Sequence, residues 1–167
     1  LQAMTDALTG LYNRRYGLER LLQEAERARR RSLPLACAIL DVDDFKKVND
    51  TRGHAAGDDV LRTLAHKLRT SLRPYDISMR FGGEEFVLVF PETALQAAVE
   101  ACDRIRVAFQ EADGTGITVS AGVAGMQGEV SKEEALAVLV ERLLREADTA
   151  LYRANAEGKN RVAFSQG

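Results

Sequence analysis

Residues 35–40 read Leu-Ala-Cys-Ala-Ile-Leu, apolar without a break, and the run stops at Asp41. A half-buried strand alternates; a strand apolar at every position needs cover on both faces. Such a segment belongs inside a sheet with helices on each side, and the rest of the chain supplies them. Thr9, Gly10 and Asn13 mark a turn before a predicted helix over Arg15–Arg31, striped by Leu18, Leu21, Leu22 and Ala25. Val60, Leu61, Leu64, Ala65 and Leu68 share one face of a second helix, Asp59–Leu72, which Pro74 stops. A third runs over Ala94–Gln110 and a fourth over Lys132–Ala156. Strands are expected over Gly116–Val123 and, as an edge, over Arg161–Phe164. Two β-prone runs within Ser78–Phe90 flank Gly82-Gly83 and read as a hairpin with a tight turn. The segment between Asp41 and Asp59 reads as a polar loop. The expected class is α/β of the α+β kind: a central mixed, mainly antiparallel sheet flanked by helices.

With 167 residues, 46% hydrophobic and 29% charged, the chain is expected to form a single folded domain over 1–167. A net charge of -2 argues against binding a nucleic-acid polymer, which needs a positive excess. No apolar stretch approaches a membrane span, so no membrane contact is expected of this domain. Cys37 and Cys102 lie in apolar runs and are expected to be buried, reduced thiols.

The chemistry concentrates where the apolar strand ends. Asp41, Asp43 and Asp44 follow it, and Glu84 and Glu85 follow the hairpin glycines. Strand ends and hairpin tips can lie side by side. If Asp41 and Glu84 converge, one pKa must rise, and a hard divalent cation removes the conflict. All-oxygen ligands favour magnesium, which takes one or two carboxylates and completes its shell with water and phosphate. That points to a nucleoside triphosphate. Lys46 and Lys47 lie one helical turn beyond Asp41 and suit phosphate charge. Asn49 and Asp58 bracket the polar segment. A carboxylate accepts two parallel N–H bonds, which guanine offers on its Watson-Crick edge and adenine does not. Asp58 would serve equally well as the N-cap of the following helix, and local sequence leaves both readings open.

These residues resemble a known family. Arg80-Phe-Gly-Gly-Glu-Glu-Phe86 is similar to the GGDEF motif in its GGEEF form. Asp6-Ala-Leu-Thr-Gly-Leu-Tyr-Asn-Arg-Arg15 resembles the family's opening segment. Asp41-Val-Asp-Asp-Phe-Lys-Lys-Val-Asn-Asp50, with Gly53-His54 and Gly57-Asp58, resembles its nucleotide-binding block. Ser120, Gly122 and Ala124, then Ala147-Asp148 and Ala150-Leu-Tyr152, resemble a later strand and the last helix. The likeness runs in order along nearly the whole chain.

The resemblance implies a fold like the palm domain of polymerases and adenylyl cyclases. It implies a diguanylate cyclase, which joins two GTP into cyclic di-GMP across a homodimer, with Mg2+ (or Mn2+). Residue by residue it implies metal ligation by Asp41, Glu84 and the Val42 carbonyl. Glu84 is also the implied base and Lys46 the phosphate-contacting lysine. Guanine recognition falls to Asn49 and Asp58, with His54 and Glu85 in the site, and Gly82 and Gly83 admit the triphosphate. Arg73-Pro-Tyr-Asp76 resembles the family's RxxD inhibitory motif, where cyclic di-GMP would bind with help from Arg104. The resemblance further implies a cytoplasmic domain of a longer, sensor-coupled protein whose parent can be membrane-attached.

One departure stands out. The last helix usually continues Ala-Lys and then Gly-Arg-Asn; here the residues are Ala154-Asn155 and Gly158-Lys159-Asn160. Lys159 keeps the charge without the guanidinium fork, and Asn155 does not. Weaker triphosphate binding is expected. Asn155 keeps open a module that senses GTP or cyclic di-GMP without turnover. A cyclase of altered base choice is disfavoured by the acid at Asp58.

Overall fold

The computed structural model describes residues 3–126 and 133–165. The element order is α1 (Arg14–Arg31), β1 (Leu35–Val42), α2 (Phe45–Arg52), α3 (His54–Ser71), β2 (Ile77–Arg80), β3 (Glu85–Pro91), α4 (Leu95–Asp113), β4 (Val119–Met126), α5 (Leu136–Ala156) and β5 (Val162–Phe164). The strands form one sheet in the order β2-β3-β1-β4-β5. The β2–β3, β3–β1 and β1–β4 pairs are antiparallel, and β5 joins β4 in parallel at the edge.

The apolar run of β1 is the central strand and is covered on both faces. Ala36, Ala38, Leu40 and Val42 share a core with Leu61, Leu64 and Leu68 of α3 and Ile105 and Phe109 of α4. Leu35, Cys37 and Ile39 face the other way, into a core with Leu21 and Ala25 of α1 and Leu139, Leu143 and Ala147 of α5. The period-two alternation of Cβ directions sends successive residues into different cores. Cys37 and Cys102 are buried and free, as expected. Burial pushes the Cys37 thiol up to about 12 and raises Cys102 as well, so both are unreactive.

α1 begins where the turn signals stand: the Asn13 side chain accepts from the Tyr16 N–H as N-cap. The hairpin is also as expected, with Phe81 and Gly82 N–H groups donating to the Glu85 carbonyl. The expected polar loop is corrected. Residues 45–52 form α2, whose buried face is only Phe45 and Val48, and α3 begins at His54 rather than Asp59. The break between them falls at Gly53, at φ 87°. A two-residue apolar face is too short a pattern to read as a helix; packing against α3 supplies what periodicity does not. Strand β4 starts at Val119, later than Gly116, and α5 starts at Leu136; Lys132 lies outside the described residues. At the C-terminal end of α1, Arg27 pairs with Glu24 and Glu92, and Arg29 donates to the Glu134 carbonyl.

α5 lies close on β4. A Cβ at Gly122 would stand 2.1 Å from the Ala147 carbonyl oxygen and 2.2 Å from the Leu151 nitrogen. That contact holds the C-terminal half of α5, and the 157–161 turn after it, against the acidic end of the sheet.

Candidate active site

The acidic residues converge because the register of the two central strands brings them together. Asp41 lies opposite Glu85 on β3 and opposite Ser120 on β4. The Val42 N–H donates to the Glu84 carbonyl at 3.3 Å, which ties the hairpin tip to the end of β1. The hairpin is braced from outside: Arg80 donates to the Gly83 carbonyl at 2.9 Å and pairs with Asp6 at 3.3 Å. Asp6 in turn accepts from the Thr9 N–H and hydroxyl. The opening segment thus acts structurally, by holding the turn that presents Glu84.

Burial, then repulsion from Glu84, Glu85 and Asp43, pushes the Asp41 carboxyl up to about 7, with Lys159 opposing. Burial, then Asp148 and Glu84, also raises Glu85, while Arg14 lowers it. Asp148 and Arg14 are site neighbours that sequence reading missed. No local pattern links them to Glu85.

The shift on Asp41 has a measurable consequence. The unfolded carboxyl loses its proton near 3.8 and the folded one near 7. Between these values the folded state holds the extra proton, so stability is fullest at the acid end and falls as pH rises towards 7, levelling beyond. Allowing for solvent screening of this half-buried group, the loss is about 1–2 kcal/mol. Urea unfolding of metal-free protein at about pH 5 and about pH 8, beside Asp41→Asn, measures it. An equal pH dependence in the variant would remove Asp41 as its source.

Asp43 differs from its acidic neighbours. It is buried and its oxygens accept from the Ser120 hydroxyl at 2.6 Å, the Thr118 hydroxyl at 2.7 Å and the Asn160 N–H at 3.0 Å. It is a clamp between β1, β4 and the turn before β5. Asp44 is exposed, and its Oδ1 accepts from the Lys159 ammonium at 2.6 Å. The structure therefore brings Lys159 to the acidic end, and Asp44 raises its pKa further.

Lys46 is exposed in the first turn of α2. Asp44, at the N-cap position with φ 54°, makes no side-chain cap bond, so the helix N-terminus is open to an anion. Asn49 Oδ1 is buried without a hydrogen-bond donor. It lies over Gly57, where a Cβ would come within 2.0 Å of it, next in the chain to Asp58. A buried acceptor left unpaired is costly, and an incoming N–H relieves it. Asp58 lies inside α3, five residues in, so the N-cap reading of it is excluded. His54 opens α3 and is exposed. A Cβ at Gly83 would meet nothing within 4 Å, leaving the hairpin backbone accessible, whereas one at Gly82 would crowd the Glu85 carboxylate.

Among the described residues no group of three or more His, Cys, Asp or Glu forms a metal cage. Asp41 and Glu84 lie near enough to repel one another, and a cation that takes its other ligands from phosphate and water needs only one or two such carboxylates.

The residues expected at the second site lie together. Arg73, Asp76 and Arg104 line one cavity of about 130 Å³ with Phe90 and Thr93. Within it Arg73 closes on Asp76: its Nε and terminal nitrogen donate to the two carboxylate oxygens at 3.2 and 3.1 Å, and its backbone N–H at 2.9 Å. Thr93 Oγ1 accepts from the same guanidinium at 2.6 Å.

Comparison with known proteins adds the family. Residues 3–161 match the family described as diguanylate cyclase, GGDEF domain. The chain is 42% identical over 168 residues to the response regulator PleD of Caulobacter vibrioides, covering 96% of this chain and 36% of that protein. It is 43% identical over 167 residues to the diguanylate cyclase DgcP of Pseudomonas aeruginosa, covering 96% and 24%. It thus spans about a third or less of these relatives. The GGDEF domain of DgcB from Caulobacter crescentus, solved in complex with c-di-GMP, is similar at TM-score 0.87 and 32% identity, covering 100% of this chain and 98% of that one. The active GGEEF domain of a Vibrio cholerae diguanylate cyclase is similar at TM-score 0.82 and 31% identity, covering 93% and 97%. Among the described residues no helix is long and apolar enough to cross a membrane.

Proposed function

The chain belongs to the GGDEF family, and from that membership we propose that it condenses two GTP into cyclic di-GMP and two pyrophosphates, acting as a pair of facing domains. The observation that carries this reading is the meeting of Asp41 with Glu84 and Glu85 at one end of the sheet. Asp41, Glu84 and the Val42 carbonyl would hold Mg2+ (or Mn2+), which when bound neutralises phosphate charge and acidifies a coordinated hydroxyl.

The chain's own residues do the rest. Asp58 accepts guanine N–H groups, and the unpaired Asn49 Oδ1 gains a donor beside it. Lys46, the open α2 N-terminus and Lys159 face the phosphates, and the uncrowded backbone at Gly83 lets them approach. His54 and Glu85 border the bound nucleotide. A Glu84 carboxylate oxygen takes the proton of the ribose 3′-hydroxyl. The deprotonated ribose 3′-oxygen then attacks the α-phosphorus of the GTP held by the facing domain, and pyrophosphate leaves. A second transfer with the roles of the two nucleotides exchanged closes the ring and releases the second pyrophosphate.

Cyclic di-GMP would bind at Arg73, Asp76 and Arg104 and hold two domains in an unproductive arrangement. Arg73 occupies both Asp76 oxygens, so the product must exchange this ion pair for guanine N–H groups. Asn155 favours a second reading, a domain that binds GTP or cyclic di-GMP without turnover.

One experiment separates these. Concentrated protein is incubated with GTP and magnesium, and the products are identified by mass. Cyclic di-GMP and pyrophosphate are expected, with specific activity rising with protein concentration. ATP should be used at least about 30-fold less well, the cost of losing paired bonds to a carboxylate. Bound GTP without product would favour the second reading, and equal use of ATP would overturn the role of Asp58.

A further inference from the structure

We propose that Asp44 is a positioning residue that competes with the nucleotide's terminal phosphates for the Lys159 ammonium. It holds Lys159 before GTP arrives and takes it back as pyrophosphate departs. This rests on the reading of the acidic strand end as a triphosphate site.

The pair is built into the backbone at both ends. Asp44 and Lys159 are 115 residues apart in sequence, yet Nζ donates to Oδ1 at 2.6 Å. Each residue has left-handed φ, 54° and 63°, although neither is glycine. The turn that carries Lys159 is anchored one residue later, where the Asn160 N–H donates to Asp43 Oδ2 and Ser120 Oγ, both at 3.0 Å. Asn160 is also held by Arg106 at 3.0 Å. Lys159 is thus delivered to the side of Asp44 by a fixed turn, not by a chance side-chain meeting.

Asp44 also forgoes its usual local partner. An aspartate at an N-cap position ordinarily accepts from an N–H of the first helical turn. Here it makes no such bond and turns to Lys159. The same choice leaves the α2 N-terminus open for phosphate and keeps the lysine beside it. An anion entering between them would satisfy both the helix end and the ammonium, with Asp44 released to solvent. At the two positions where the family usually carries a lysine and an arginine, this chain keeps only Lys159 as a cation, since the other is Asn155. A competitor for that single charge therefore acts on the whole of what these positions contribute.

The pair is solvent-exposed at both ends, with side chains 60% and 41% accessible, so the competition is modest and reversible. That suits an enzyme that must release pyrophosphate each time it turns over.

Asp44→Asn tests it, because asparagine tolerates left-handed φ and the site is exposed. Calorimetry on the full chain, with magnesium pyrophosphate and with GMP, is run on Asp44→Asn, Lys159→Ala and the double variant. In Asp44→Asn, pyrophosphate should bind about threefold tighter, within the range of an exposed ion pair. GMP, which lacks the terminal phosphates, should bind unchanged. In turnover the KM for GTP should fall without a rise in kcat, and pyrophosphate should inhibit at lower concentration. The gain should vanish in the double variant, and Asp44→Glu should return affinity towards the parent. No gain in Asp44→Asn, with Lys159→Ala weakening pyrophosphate, overturns the competition but keeps the triphosphate site. An equal gain with and without Lys159 also overturns it, since the effect would then be general charge. If Lys159→Ala leaves pyrophosphate binding unchanged, the assignment of Lys159 to the phosphates fails as well.

Discussion

Glu84→Gln is expected to lower cyclic di-GMP formation by about a thousandfold or more, the scale of losing a general base together with a metal-facing charge. The side chain keeps its size, and it is half-buried at the hairpin tip rather than in either core. The tip itself is held by backbone bonds, Val42 N–H to Glu84 carbonyl and Phe81 N–H to Glu85 carbonyl, which the substitution does not touch. Folding should survive. It should even improve near neutral pH, because Glu84 is the largest charge repelling Asp41, and removing it returns the Asp41 carboxyl towards its ordinary range. Loss of activity with gain of stability is a signature that a misfolded variant cannot give. The measurements are product formation and urea unfolding at about pH 8. Turnover near that of the parent would overturn the assignment of Glu84. A large loss of stability would mean that its role is structural.

The second large effect concerns the glycine under α5. In Gly122→Ala the new methyl would meet the Ala147 carbonyl oxygen and the Leu151 nitrogen at 2.1 and 2.2 Å. Both are backbone atoms in the middle of a 21-residue helix, so no rotamer change relieves the contact. α5 must lift from the sheet, opening the core around Leu143, Ala147 and Leu151. Overpacking against an element that cannot yield costs about 3 kcal/mol. The movement also shifts Asp148, and with it the turn that carries Lys159, so the KM for GTP should rise in whatever fraction remains folded. Gly83→Ala is the contrast. Its methyl meets nothing within 4 Å of the protein, so stability should hold while nucleotide turnover falls. Equal stability of parent and Gly122→Ala in urea would refute the close-packing account of α5.

The core was legible without coordinates because its signal is local. The unbroken apolar run of 35–40 demands cover on two faces, and the stripes of α1 and α3 name a face on each side that supplies it. The hairpin was legible because its glycines stand between two β-prone runs. That Asp41 and Glu84 could meet was legible from where the strand and the turn end, the β1–β3 register brought them together, and the resemblance of the motifs implied their chemistry.

Other features were decided only when distant segments met. α2 is a helix because Phe45 and Val48 pack against α3, and two apolar residues in an otherwise polar stretch carry no period to read. Asp41, Asp43 and Asp44 look alike in sequence but do three different things. Asp41 is crowded by acids across the β1–β3 register. Asp43 is satisfied by β4 and the turn before β5. Asp44 is held by a lysine from the far end of the chain. Residue type and spacing set which groups a segment must bury or expose. The charge state and partner of each carboxylate depend on the strand order and the seat of α5, which only the packed chain determines.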